Sequence, residues 1–185
     1  SIKLDTQKGV GTAKGVKLEF KGVPILYAPY LSFPIGDARK TGLLTPEIGS
    51  SGRSGNELRV PWYWNIAPNY DATITPRLLT SRGLQVATEF RYLTERNSGT
   101  VNVDYLPNDD IIDTSRQRLH FDHQTLFGGG FRGQLNFSEV SDSQYYEDLG
   151  GSLSISSITH LNRSVRLDYY SRNLTMLARL QDYQT

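Results

Sequence analysis

The fold is decided by Val60-Pro61-Trp62-Tyr63-Trp64-Asn65-Ile66-Ala67-Pro68-Asn69-Tyr70-Asp71-Ala72-Thr73-Ile74-Thr75-Pro76-Arg77. Aromatic and β-branched residues flank a tight Ala67-Pro68-Asn69 turn, so the stretch predicts two antiparallel strands. In the second, Asp71, Thr73, Thr75 and Arg77 fall on one face, and Ala72, Ile74, Pro76 and Leu78 on the other. Each strand also carries a proline, Pro61 or Pro76, where a sheet would use a backbone N–H. Such prolines belong to edge strands or bulges.

Downstream of this hairpin the same alternation recurs to the end of the chain. From residue 57 it predicts about nine strands, near 57–66, 69–79, 84–93, 100–106, 115–125, 130–140, 151–159, 163–171 and 173–182. Leu84, Val86, Thr88, Phe90 and Tyr92 oppose Gln85, Ala87, Glu89 and Arg91. Val165, Leu167 and Tyr169 oppose Arg166 and Asp168. Turns are expected at 81–83, 96–99, 107–110, 128–130 and 171–173, with a longer loop at 141–150. No helix is needed. The reading is an all-β antiparallel meander.

Upstream, Gly15 to Phe20 alternates, and Val23 to Pro29 is a short apolar strand flanked by prolines. Both read as the last strands of a preceding β-domain. Residues 31–56 hold many Gly, Pro and Ser and no sustained period, so they read as a junction between domains. The Ser1 start has neither an initiator Met nor an apolar leader core, and the chain reads as a fragment or a processed product.

Composition narrows the function classes. Lys plus Arg number 20 against 19 Asp plus Glu, so net charge gives no reason to expect nucleic acid. There is no Cys, which excludes disulfides and thiolate metal sites within this chain. No apolar run approaches the ~20 residues of a transmembrane helix. A membrane β-strand needs only about 9–11 alternating residues, and several strands here are that long. Trp62, Trp64, Tyr70, Tyr92, Tyr105, Tyr169 and Tyr170 sit near strand ends, as in the aromatic girdles of outer-membrane barrels. A polar face carrying both charge signs suits a wet lumen. A half-buried soluble sheet also alternates, so a soluble all-β carbohydrate-binding or hydrolase module is the alternative.

Motifs for chemistry are sparse. His120 and Asp122 share a strand face, but two ligands make a weak metal site and a structural role is expected. His120 would be the base if the chain were an outer-membrane enzyme. Asp109, Asp110 and Asp113 lack calcium-loop spacing and read as solvated turn carboxylates. Gly128-Gly129-Gly130 follows a strand but opens no helix, so it is a turn. No Gly-x-Ser-x-Gly elbow occurs. No cofactor or metal is expected.

Tyr27 to Pro46 and Pro61 to Arg77 resemble the lipopolysaccharide-assembly outer-membrane protein family LptD, and Glu89-Phe90-Arg91-Tyr92-Leu93 and Val103-Asp104-Tyr105-Leu106-Pro107 continue the match in order. The resemblance implies that residues 1–36 end a periplasmic β-jellyroll, 37–56 are a linker, and 57–185 are the first strands of an outer-membrane barrel. It implies a translocon without catalytic activity, which moves lipopolysaccharide from the periplasm to the outer leaflet. Implied partners are a plug lipoprotein inside the barrel, a periplasmic bridge protein at the jellyroll and the barrel-assembly machinery. Pro61 and Pro76 become candidate residues of a lateral gate, and Leu18, Phe20, Ile25 and Tyr27 candidates for an acyl-chain groove. Asp71, Arg77, Glu89, Arg91, Arg132, Arg166 and Asp168 become candidates for the lumen. Those arginines would either meet lipid phosphates or pair with Glu89 and Asp168, and pairing is the expectation for most.

Overall fold

The computed structural model describes residues 2–5, 10–20, 23–35, 39–150 and 161–184. Three strands, β1 (Ile2–Asp5), β2 (Val10–Phe20) and β3 (Val23–Pro34), form one antiparallel sheet in chain order. All remaining strands join a second sheet. They are β4 (Gly42–Leu43), β5 (Glu47–Ser51), β6 (Gly55–Arg59), β7 (Trp62–Ala67), β8 (Tyr70–Leu79), β9 (Gly83–Leu93), β10 (Asn97–Asp109), β11 (Thr114–Gly128), β12 (Phe131–Val140), β13 (Leu161–Tyr170) and β14 (Thr175–Gln184). From β8 to β14 each strand pairs with the next, giving the predicted all-β meander.

The strand expected over 57–66 is two strands. β6 pairs with the far end of β8 (Glu57 with Leu79, Arg59 with Arg77), and β7 pairs with the near end (Trp62 with Ile74, Asn65 with Asp71). Between them the chain breaks at Val60–Pro61. The stretch 31–56, read as lacking strand period, contributes more than a connection. β3 runs to Pro34, β5 forms a hairpin with β6, and β4 pairs with β7. Glu47-Ile48-Gly49-Ser50-Ser51 is too short and Gly/Ser-rich for its alternation to register. Gly55, with φ of 74°, makes the return turn.

Two expected turns lie inside strands. Pro107 and Asn108 belong to β10, and the pairing of β10 with β11 shifts register between Leu106 and Asp109. That irregularity is where a residue without an N–H is tolerated. The reversal comes later, at Asp110–Asp113, with Asp113 in the left-handed region. Asn97–Gly99 likewise belongs to β10. The loop after β12 contains a five-residue helix, α1 (Tyr145–Leu149), where no helix was expected. Its Tyr145, Tyr146 and Leu149 bury against Leu79, Leu106, Val140 and Leu161 and form the apolar core at one end of the sheet. Fully burying Leu79 or Leu106 contributes about 1.5–3 kcal/mol each. The strand expected at 151–159 lies outside the described residues.

The register sorts side chains onto two faces. One row runs Tyr70, Tyr92, Gly99, His123, Leu135, Val165, Leu180 across seven strands. The next residue along each strand gives the opposite row: Asp71, Arg91, Thr100, Asp122, Asn136, Ser164, Gln181. The first face is apolar and open: Leu78, Leu84, Val103, Leu119, Val165 and Leu167 are all exposed. The second carries buried polar and charged groups, including Asp71, Arg77, Gln85, Arg116 and Asp168. This distribution is the reverse of a water-soluble sheet, which puts its apolar face inside.

Candidate functional site: a polar face and an interrupted edge

All seven lumen candidates fall on the polar face. Asp71 opposes Arg91, Thr73 opposes Glu89, and Arg77 opposes Gln85. Arg132 opposes Asp168, and Gln134 opposes Arg166. Most of the arginines have carboxylate partners, though not always the expected ones. Arg91 bonds Asp71 through Nε at 2.8 Å and lies 3.6 Å from Glu89. Arg166 bonds Asp168 at 2.9 Å. Arg77 pairs with neither Glu89 nor Asp168. It grips Glu57 bidentately at 2.6 and 2.9 Å, and donates to Gln85 Oε1 at 2.9 Å and to the Leu149 carbonyl at 2.7 Å. A planar guanidinium suits such many-sided recognition.

Further members of this face were not singled out from the sequence. Arg116 is fully buried among Asp109 at 3.1 Å, Asp142 at 2.7 Å and Asp148 at 2.8 Å. Asp109 also accepts from Arg82 at 2.6 Å. The expectation that Asp109 is a solvated turn carboxylate is therefore corrected: it is buried, because it closes β10 beneath two arginines. The signal available was the Arg116–Arg118 alternation on β11, which puts both on one face. Arg118 pairs with Asp104 at 2.8 Å, and Asp104 accepts from the Tyr145 hydroxyl at 3.3 Å. Arg77, Gln85, Asp104 and Arg116 thus hold α1 and its flank against the sheet. Burial works against ionising Asp142, but its bonds from Arg116 and Ser141 prevail and hold its carboxyl below the usual range. Burial, with the Asp104 charge beside it, pushes the Tyr145 phenol up.

His120 bonds Ser138 through Nδ1 at 2.8 Å and Asp122 through Nε2 at 2.6 Å. These residue types match a hydrolytic triad, but Ser138 is buried flush in β12, not raised on a turn where a substrate carbonyl could reach it. Asp122 also accepts from Asn136, and Asn136 from Asn162, so the set is part of a cross-strand polar ladder. Among the described residues no three His, Asp or Glu converge as metal ligands.

On the apolar face, Tyr92 lies across Gly99 to reach His123. A Cβ on Gly99 would press on the Tyr92 hydroxyl and fall 2.6 Å from the Asp122 carbonyl oxygen, so this crossing requires glycine. Tyr92 Oη and His123 Nδ1 are hydrogen-bonded and their rings stack. Phe90, Tyr70 and Phe121 extend the aromatic band.

The two prolines meet at one discontinuity. Pro61 stands between β6 and β7, and Pro76 lies in β8 opposite the gap. The Pro76 carbonyl accepts from the Val60 amide. In an extended strand a residue's N and C=O point the same way. The donor Pro76 lacks is therefore missing on the side of the Val60–Pro61 break, while its pairing with Val86 on β9 is continuous. β7 is not the outermost strand. Gly42 pairs with Tyr63 and Leu43 with Trp62 on its other side, and Leu44 donates to the Pro61 carbonyl at 2.9 Å.

Of the groove candidates, Leu18 and Phe20 lie in β2 and Ile25 in β3, with side chains outside the described residues. Tyr27, in β3, is 61% exposed.

Residues 114–185 match the family model described as LptD, LPS transport system D. The whole chain aligns at 46% identity with the LPS-assembly protein LptD of Nitrosomonas eutropha, of which it covers 26%. It is 47% identical over 86% of its length to the LptD of Nitrosomonas europaea, covering 22% of that protein. It is 44% identical over its whole length to the LptD of Pseudoalteromonas atlantica, covering 24%. The chain spans about a quarter of the length of these curated relatives.

Proposed function

The chain belongs to the LptD family, and from that membership we propose that it is the opening section of an outer-membrane translocon that carries lipopolysaccharide from the periplasm to the outer leaflet. The observation that carries this reading is the inverted sheet. Its apolar face, including Leu84, Val103, Leu119 and Val165, is exposed, and its opposite face is charged and buries Asp71, Arg77, Arg116 and Asp168. A lipid-facing exterior and a polar interior alternate along every strand of an outer-membrane barrel. A soluble module would pack that apolar face on a second layer.

The cargo has acyl chains and an anionic saccharide head. The polar face offers the head hydrogen-bonding side chains on every strand from β8 to β14. The acyl chains belong in the membrane, so the cargo leaves sideways through a seam near the first strands. Pro61 and Pro76 keep the ladder thin there, which is the basis for assigning them to a lateral gate. Leu18, Phe20, Ile25 and Tyr27 are assigned to the periplasmic groove that delivers the acyl chains. A plug lipoprotein in the lumen, a periplasmic bridge protein and the barrel-assembly machinery are the proposed protein partners. No catalytic step enters this scheme.

The test is site-specific photocrosslinking in membranes holding the full-length protein, with the crosslinker placed residue by residue from 57 to 79. Lipopolysaccharide captured at polar-face positions such as Thr73 and Thr75 supports the reading. Capture at no position overturns it.

A further inference from the structure

The polar face is not electrically uniform. On β8 to β11 its arginines are neutralised from within: Arg77 by Glu57, Arg91 by Asp71, Arg116 by Asp109 and Arg118 by Asp104. On β12 to β14 the same face carries Arg132, Arg166 and Arg179 against Asp168 alone. Asp168 is buried and is taken by Arg166, whose Nε lies 2.9 Å from both carboxylate oxygens. Arg132 and Arg179 are exposed and form no ion pair among the described residues. Residues 151–160 contain no Asp or Glu that could neutralise them.

The register sharpens this excess. Arg166 on β13 stands directly opposite Arg179 on β14. Side chains so placed are about 5 Å apart at Cβ, and like charges there destabilise the strand pair. The same row continues through Gln134 on β12 to Gln124 on β11. Neither amide makes a hydrogen bond among the described residues. The rows just beyond, toward α1, behave in the opposite way. There Asn136 donates to Asp122, Asn162 to Asn136 and Ser164, and Gln181 to Asn162, so the ladder satisfies itself. The row from Gln124 to Arg179 instead lines an open concavity of about 600 Å³. Arg91 and Asp122 line it too, with their charges already engaged by Asp71 and by His120 and Asn136.

We propose that Arg166 and Arg179, flanked by Gln134 and Gln124, form a binding site for a sugar phosphate. Guanidinium forks match phosphate oxygens, and two of them side by side on a sheet present several donors to one anion. A phosphate between them turns their repulsion into shared attraction. The neighbouring amides both donate and accept, as sugar hydroxyls require. Arg132, one row away, adds positive potential. The phosphate chemistry follows from the residues themselves; its source, the phosphorylated saccharide head of the cargo, rests on the translocon reading above. On that reading the self-neutralised wall of β8 to β11 passes the head, and the wall of β12 to β14 recognises its charge.

The test uses the purified full-length protein and three probes: deacylated lipopolysaccharide, the same saccharide after phosphatase treatment, and inorganic phosphate. The phosphorylated saccharide should bind at least about tenfold more tightly than either of the others. Equal binding of the two saccharides overturns phosphate recognition, and inorganic phosphate binding as tightly as the phosphorylated saccharide overturns the assignment to the cargo head. Arg179→Gln removes one guanidinium, and Arg179→Glu also puts a carboxylate opposite Arg166. Both should abolish the preference for phosphate while the melting temperature holds or rises. A preference that survives, or a melting temperature lowered in both variants, overturns the site. In membranes, a photocrosslinker at Gln134 should capture lipopolysaccharide; capture of a protein there instead overturns the saccharide as occupant. If no position on the polar face captures lipopolysaccharide, the translocon reading fails, and binding to the purified protein still decides the phosphate site.

Discussion

The Val60 amide donates to the Pro76 carbonyl at 3.1 Å, across the point where β6 gives way to β7. That one bond spans the break beside Pro61, and the next donor along β8, the nitrogen of Pro76 itself, carries no hydrogen. The first hairpin is thus joined continuously to β9 on one side and only intermittently to the chain before it on the other.

Restoring donors here should stiffen the pairing around the break. Pro76→Ala permits one further ladder bond toward Val60 and Pro61→Ala one toward Leu44, each with a net gain of about 0.5–1.5 kcal/mol. The double variant is expected to slow delivery of lipopolysaccharide to the cell surface in a pulse-labelling assay. Delivery at the parent rate removes the two prolines from the gate.

The apolar face can be probed by charge. Val103→Arg on a lipid-facing strand should destabilise the protein by roughly 2–4 kcal/mol if it sits near the membrane midplane. The same change on a water-facing surface should stay within about 0.5 kcal/mol. Urea unfolding in lipid vesicles reads the difference, with Ser164→Arg on the opposite face as the comparison. A neutral Val103→Arg would argue for the soluble alternative.

The Arg116 cluster predicts an acid-sensitive anchor. Asp142 is held below the ordinary carboxylate range, near 3.9. A group with a depressed folded-state pKa binds its proton less readily when folded. Its stabilisation is therefore complete above the unfolded value and is lost as pH falls through the folded one. Stability followed from about pH 5 downward should decline, and Asp142→Asn should flatten part of that decline. Arg116→Ala removes the shared partner of three carboxylates and should cost about 3–5 kcal/mol, because it leaves Asp109 buried with less compensation.

His120→Ala should leave lipopolysaccharide delivery intact. The imidazole bonds Ser138 and Asp122 within a cross-strand ladder, so its loss is expected to change stability by about 1 kcal/mol at neutral pH. A large loss of function at normal expression would make His120 a functional group and reopen the enzymatic reading.

Much of this fold was legible because strand period and face are the same information. Alternation such as Gln85-Val86-Ala87-Thr88-Glu89-Phe90-Arg91-Tyr92 fixes which side chains share a face, and the observed register keeps them there. The charged face was therefore readable from Arg77, Arg91 and Asp168, while the partner of Arg77 was not. Glu57 meets it because β6 crosses the end of β8, a relationship no local pattern encodes. β4 and β5 were missed because two and five residues are too few for a period to emerge. α1 was missed because a helix this short, without a side-chain cap at Gln144, is held by packing of Tyr145, Tyr146 and Leu149 and by distant arginines, not by propensity. The resemblance gave the prolines a role, but not the fact that 42–44 lies between β7 and the open edge.

α1 also bears on the order in which this section of chain assembles. Its anchors lie far back in sequence: Gln85 is 60 residues from Tyr145, and Arg77 is 72 from Leu149. They converge only after β8 to β11 have aligned. A slip of one residue in any of those strands would turn its anchor to the other face. The helix then has nothing to dock on, and the core around Leu79 and Leu106 stays open. Docking of five residues late in folding thus acts as a proofreading step on the register of four strands, and misregistered sheets are left with a less stable end from which to unpair and try again.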